Sequence, residues 1–183
     1  MTMPAHDAVR TLITRVGDDP AREGLEDTPR RVVDGLVELL SGYQDDPYHW
    51  LKTTFPNDQQ YTGPVVVAGI GFTSMCEHHM LPFTGWATVA YDPGERIVGL
   101  SKLPRMFLGY ARRLQVQERL TQQALACVVS VLNPVSAVVV VTASHSCMTI
   151  RGVRSGGMTT TIAEHGEPPM ELVMAEHRQH GGG

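Results

Sequence analysis

Cysteine is scarce, charge is nearly balanced and no apolar run is long, and each shortage narrows what the chain can be. Three cysteines in 183 residues are too few for a disulfide framework, and the number is odd. Met1 to Arg10 holds no apolar core that could act as an export signal. Together these features point to a reducing compartment and a cytoplasmic protein. The longest nearly unbroken apolar stretches, Val65 to Phe72 and Ala137 to Val141, fall far short of the ~20 residues a membrane helix needs. Lys and Arg number 15 against 19 Asp and Glu, a net charge of −4 with no block of one sign. A protein that neutralises phosphates along a nucleic acid carries a basic surplus. Neither a membrane nor a nucleic acid is an expected partner.

What is present is an ordinary globular composition, 42% hydrophobic and 19% charged, in a chain long enough to bury a core without cross-links. Residues 1–60 are expected to be an N-terminal helical region. After Thr28-Pro29, apolar residues at Val32, Val33, Leu36, Val37, Leu39 and Leu40 form a helical stripe that Ser41-Gly42 stops. Thr28 suits an N-cap and Pro29 a first helical position. Residues 43–61 show no periodicity and read as a connecting loop. From Tyr61 the pattern changes to strands at Val65 to Met75 and Thr84 to Tyr91, then a short one over Arg96 to Leu100. Two helices follow, over about 103–114 and 118–132, and Asn133-Pro134 ends the second. Val135 to Ala143 reads as a buried strand and Met158 to Ala163 as another. The order implies an α+β fold, with a main domain over 61–176 and a disordered tail over 177–183.

Chemistry concentrates at two strand ends. Cys76-Glu77-His78-His79 closes one predicted strand, and His145-Ser146-Cys147 closes the valine-rich one. Two cysteines and one to three histidines suit a zinc site with three protein ligands and an open fourth position, the arrangement that separates catalytic from structural zinc. If residues 145–147 stay extended, His145 and Cys147 face one pocket. The competing reading is buried thiols beside unrelated histidines.

Five segments, taken together, resemble GTP cyclohydrolase I of the zinc-dependent type. They are Arg22-Glu23-Gly24-Leu25 with Thr28-Pro29-Arg30-Arg31; Cys76-Glu77-His78-His79; Val98-Gly99-Leu100-Ser101-Lys102; Gln115-Val116-Gln117-Glu118-Arg119-Leu120-Thr121; and His145-Ser146-Cys147-Met148-Thr149-Ile150-Arg151-Gly152. The resemblance implies a tunnelling fold (T-fold): an antiparallel sheet with two helices on one face, behind N-terminal helices. It implies one Zn2+ per subunit on Cys76, His79 and Cys147, with His78 and His145 free as proton carriers. It further implies a homo-oligomer, a decamer of two stacked pentamers with active sites between subunits. The implied reaction opens the imidazole ring of GTP at C8, releases formate, rearranges the ribose and closes a pterin ring to 7,8-dihydroneopterin triphosphate. Two imidazoles titrating near neutrality suit its several proton transfers.

GTP is a polyanion, and a protein of net charge −4 needs a local cationic patch to hold it. Ser101, Lys102 and Arg105 stand at a helix start, where free N–H groups favour anions, and Lys102 and Arg105 share a face. By resemblance Arg151 is a further triphosphate contact and Arg31 another candidate. Guanine offers N1–H and its 2-amino group side by side, which one carboxylate accepts together. Glu118 matches the family's guanine-binding glutamate, with Gln117 beside it supplying an amide. Cys127 lies on an apolar helix face and reads as core; His6, His49, His165, His177 and His180 have no partner spacing.

The resemblance thins after Thr159-Thr160-Thr161. The family's Gly-x-Phe segment and Arg-x-Glu-Phe-Leu ending are replaced by Ile162 to Pro169 and Met170-Glu171-Leu172-Val173. Two other functions therefore compete with the enzyme. One is a non-catalytic paralogue that binds purine or pterin, favoured only by the altered C-terminus. The other is a structural zinc module, disfavoured because closed sites usually carry a fourth Cys or His.

Overall fold

The computed structural model describes residues 3–58 and 60–181, so the expectation for 182 and 183 lies outside the described residues. Contacts divide the chain into two compact units at Leu40/Ser41, about twenty residues before the boundary expected from composition. The first unit is a helix pair, α1 (Ala5–Arg15) packed on α2 (Thr28–Leu39). The N-cap of α2 is Asp27, one residue earlier than expected, and Pro29 falls within the first turn. Asp27 makes no cap hydrogen bond; its carboxylate accepts from Arg31 at 3.0 Å instead.

The second unit begins inside the stretch expected to be a loop. A 3-10 turn (Ser41–Gln44) leads to α3 (Pro47–Leu51) and β1 (Thr54–Pro56). Helix α3 starts because Asp46 accepts from Tyr48 N–H at 3.2 Å and Pro47 opens the turn. Strand β1 exists through pairing across forty residues of sequence, Thr54 with Val98, which no local periodicity reveals.

The remaining elements follow the expected order: β2 (Val65–Cys76), β3 (Pro82–Asp92), β4 (Arg96–Val98), α4 (Lys102–Ala111), β5 (Leu114–Gln115), α5 (Gln117–Leu132) and β6 (Ser136–His145). A single helical turn, α6 (Ser146–Thr149), then β7 (Met158–His165) and α7 (Met170–His180) complete the chain. The main sheet has the order β5-β2-β3-β6-β7; every neighbouring pair is antiparallel except the short β2–β5 contact. Helices α4 and α5 cover one face, so the α+β architecture with two helices on one side of an antiparallel sheet is the one the chain adopts.

Helix α7 covers the other face. Its Val173 packs with Ala90, Val138 and Val140, while Ala137, Val139, Val141 and Ala143 face α4 and α5. Strand β6 is thus buried on both sides, which is why it reads as an unbroken valine run rather than an alternation. The disordered tail expected from residue 177 is corrected here: the helix runs to His180, and His177 is 3% exposed. Thr88 and Thr142, reaching up from β3 and β6, hold its two ring nitrogens at 2.9 Å each. Gly181 lies so close to the Trp86 indole that no larger residue fits.

Candidate metal centre

The sheet delivers the chemical residues to one end. Strand β2 ends at Cys76, and a tight turn follows in which Met80 N–H donates to Cys76 carbonyl at 2.8 Å and Cys76 N–H to Leu81 carbonyl at 2.9 Å. Met80 takes φ 51°, a left-handed step that closes the turn after His79 and leads into β3. Strand β6 ends at His145, and α6 carries Cys147. The extended path expected over 145–147 is therefore corrected. The chain turns helical after His145, and Cys147 reaches the pocket from the turn.

Cys76 Sγ lies 3.8 Å from His79 Nδ1, and Sγ of Cys147 completes a triangle whose donor atoms are all within 4.8 Å of one another. Tetrahedral zinc with ordinary bond lengths needs about 3.6 Å between sulfur and nitrogen and about 3.8 Å between sulfurs. The donor set and its spacing fit that ion, with one tetrahedral position left over. Burial pushes the Cys147 thiol up, the neighbouring Cys76 adds to this, and Arg151 pulls it back. Two thiols resisting joint ionisation are what a divalent cation between them relieves. His78 stands outside the triangle with its side chain 65% exposed, its Nε2 3.9 Å from Glu77.

His145 is held by a ring on one face and by an amide at one nitrogen. It is paired across the sheet with Phe83, and the rings stack at 4.6 Å and 6°. Gln117, 2% exposed, donates its amide N–H groups to the carbonyls of Val141 and Thr159, both at 3.0 Å, and to Thr161 Oγ1 at 3.1 Å. Its oxygen must then be the acceptor facing His145 Nε2 at 2.7 Å. That nitrogen carries the hydrogen, and the neutral ring keeps its lone pair on Nδ1. Burial lowers the His145 pKa, and the Glu118 carboxylate partly offsets it. Gln117, expected as an amide for guanine, has both ends of its amide engaged inside the subunit. Exposed Glu118 remains available at the same helix start.

Residues beyond the sequence expectation support the turn. Arg119 binds Glu77, whose carboxyl it lowers, and donates from Nε to Gln115 Oε1 at 3.1 Å. Buried Gln115 donates in turn to Tyr110 carbonyl and Gln123. The segment Gln115 to Thr121 is therefore mostly scaffold. The available signal was polar side chains at positions whose spacing makes them buried.

The expected site residues do not all converge. Arg151 acts on Cys147 and Glu118 on His145. Ser101, Lys102 and Arg105 open α4, whose opposite end leads into β5 beside Met75 and Cys76. A ten-residue helix, about 15 Å long, separates them from the thiols of their own chain. Arg31 belongs to the first unit, where it pairs with Asp27. Cys127 is fully buried, its thiol pushed up to about 11 by burial, as expected of a core residue.

Residues 5–170 match the family described as GTP cyclohydrolase I. The chain is 51% identical over 162 residues to GTP cyclohydrolase 1 of Chlorobaculum tepidum, an alignment that spans 88% of this chain and 72% of that one. Among solved structures it is similar to the archaeosine synthase QueF-Like in the apo form, at 18% identity and a TM-score of 0.46 over 58% of this chain and 95% of that one. With the match running through the triangle, His145 and the α5 scaffold, the chain belongs to the GTP cyclohydrolase I family.

Proposed function

We propose that this chain is a working GTP cyclohydrolase I rather than a binding paralogue, with zinc on Cys76, His79 and Cys147. It opens the imidazole ring of GTP at C8, releases formate, rearranges the ribose and closes the pterin ring of 7,8-dihydroneopterin triphosphate. The observation that carries this reading is His145, two residues before Cys147, an imidazole with one nitrogen anchored and the other without a hydrogen-bond partner among the described residues. A binding protein has no need of that arrangement. When bound, zinc supplies Lewis-acid polarisation of water. The chain's own residues do the rest. His145 exchanges protons at Nδ1 while Gln117 prevents its ring from turning, and exposed His78 serves as the second carrier. Glu118 accepts N1–H and the 2-amino group of guanine, and Arg151 meets the triphosphate.

Ser101, Lys102 and Arg105 complete the phosphate site from a neighbouring subunit, since a helix length separates them from their own thiols. Most of the outer edge of β2 and the whole outer edge of β7 lack strand partners among the described residues. Such edges favour joining of sheets between copies, and the assembly we propose is the decamer of two stacked pentamers. Arg31 is a further triphosphate contact in that assembly. Among the described residues no helix is long and apolar enough to cross a membrane, and three free cysteines suit the reducing cytoplasm.

The test is incubation of zinc-loaded protein with GTP, following formate and pterin fluorescence, with ATP as control. Both signals from GTP alone are expected. Neither signal from a folded, metal-bound oligomer would overturn the reading in favour of the non-catalytic paralogue.

A further inference from the structure

Lys102 and Arg105 are held in an unusual way. Lys102 Nζ lies 5.3 Å from the centre of the Trp50 ring and Arg105 Cζ 4.9 Å from it, so one indole carries two cations. Among the described residues neither side chain makes a hydrogen bond or an ion pair. Arg113, a short way along the chain, shows the alternative. It also stacks on aromatic rings, Tyr43 and Tyr110, but its N–H groups are engaged by the carbonyls of Gly42, Gly109 and Asp45 at 2.9 to 3.1 Å. Arg113 is a fastening; Lys102 and Arg105 are tethered and left with their donors unused.

The tether itself is built. The Trp50 indole N–H donates to the Asp45 carboxylate at 2.9 and 3.2 Å. That carboxylate lies against Gly109 of α4, where a Cβ would come within 2.8 Å of it. The ring is therefore locked to the 3-10 turn and α3 while it lies under the first turn of α4. A carboxylate on the indole N–H also polarises the ring toward a stronger negative face. An aromatic face orders a cation without neutralising it, whereas a carboxylate partner would satisfy the charge that an incoming polyanion needs.

We propose that Trp50 is a positioning residue for the triphosphate of the substrate: it orders Lys102 and Arg105 over its ring while keeping both charges uncompensated. This rests on the reading of Lys102 and Arg105 as phosphate ligands given above. Asp45 acts through Trp50 by fixing the indole plane. The consequence falls on substrate binding rather than on chemistry, because the cations stacked on the ring are those that grip phosphate, while its other contacts are with Asp45, His49 and the core.

The experiment uses the zinc-loaded assembled protein and three variants, Trp50→Leu, Trp50→Phe and Lys102→Ala, with GTP as substrate and inorganic tripolyphosphate as competitive probe. Trp50→Leu is expected to raise KM for GTP and the inhibition constant of tripolyphosphate together by about tenfold with kcat unchanged. Trp50→Phe, which keeps a ring but not the indole N–H, recovers most of that loss. The chain has 2 tryptophans, and Trp86 lies on the α7 face. The emission difference between the native protein and Trp50→Phe therefore reports on Trp50 alone and is expected to change as tripolyphosphate binds. An unchanged KM in Trp50→Leu alongside a raised KM in Lys102→Ala would overturn the role of Trp50 and leave the phosphate site standing. So would a Trp50 emission indifferent to tripolyphosphate. An unchanged KM in Lys102→Ala would remove the phosphate reading itself, and the inference with it.

Discussion

His145 and His177 sit on opposite faces of the same strand system and answer the same physical problem differently. Burial lowers the pKa of both. His145, on the α5 face, has one nitrogen held by the Gln117 amide and a flank held by the Phe83 ring. Its second nitrogen has no hydrogen-bond partner among the described residues, and the nearby Glu118 eases protonation. His177, on the α7 face, has both nitrogens taken, one by Thr88 and one by Thr142, with Thr142 passing a further hydrogen bond to Thr160 at 2.8 Å. The nearby Arg178 disfavours protonation. A ring with a nitrogen to spare can move protons, and a ring with none can only fasten. The difference lies in what surrounds each imidazole: His177 is closed off beneath α7, whereas His145 is only half-buried.

The sharpest way to separate the two faces is to remove residues at the metal end and ask what is lost. Cys147→Ala should abolish metal content and turnover together, measured by elemental analysis and formate release. His145→Ala should retain the metal and lose turnover by about 10²- to 10⁴-fold, the usual worth of a positioned acid–base group. Metal loss in that variant would mean that His145, rather than His79, is the ligand. Next in size is Gln117→Leu, which leaves Nε2 of His145 without its acceptor while sparing every metal donor. It should keep zinc and assembly and reduce kcat about 10- to 100-fold, on the scale of other outer-shell losses. A rise in KM with kcat intact would return Gln117 to guanine binding.

Much of the α5 face was legible in the sequence. The strand-end clusters at 76–79 and 145–147 suggest a zinc site by residue type, the resemblance implies the set Cys76, His79 and Cys147, and the valine run of β6 shows itself by its length. What was hidden depended on contacts distant in sequence. The helical turn of α6 carries Cys147 to the pocket, where an extended path over 145–147 is the expectation. The expectation for Gln117 is an amide offered to guanine, and only the carbonyls of β6 and β7 above it show that it is buried and engaged. Trp50 fell in a stretch without periodicity, and its role depends on α4. On the α7 face almost nothing could be read. His177 lies between a weakly patterned helix and two threonines far back in the chain, so its environment exists only once the sheet has formed.

The smallest effects test the α7 face. His177→Ala should leave turnover unchanged and lower unfolding free energy by about 1 to 3 kcal/mol, since the hydroxyl of buried Thr88 loses its partner, as read by chemical denaturation at neutral pH. The same residue sets a pH signature. Its folded pKa lies below its ordinary value of 6.5, so as pH falls the unfolded chain takes up the proton first. Stability is then fully present above the unfolded value and declines as pH drops through it toward the folded value. In His177→Ala that part of the acid slope should disappear, leaving a stability profile flatter than the parent's below about pH 6.5. An unchanged slope would mean that His177 is protonated as readily in the folded protein as outside it. The contrast with His145 would then rest on hydrogen bonding alone.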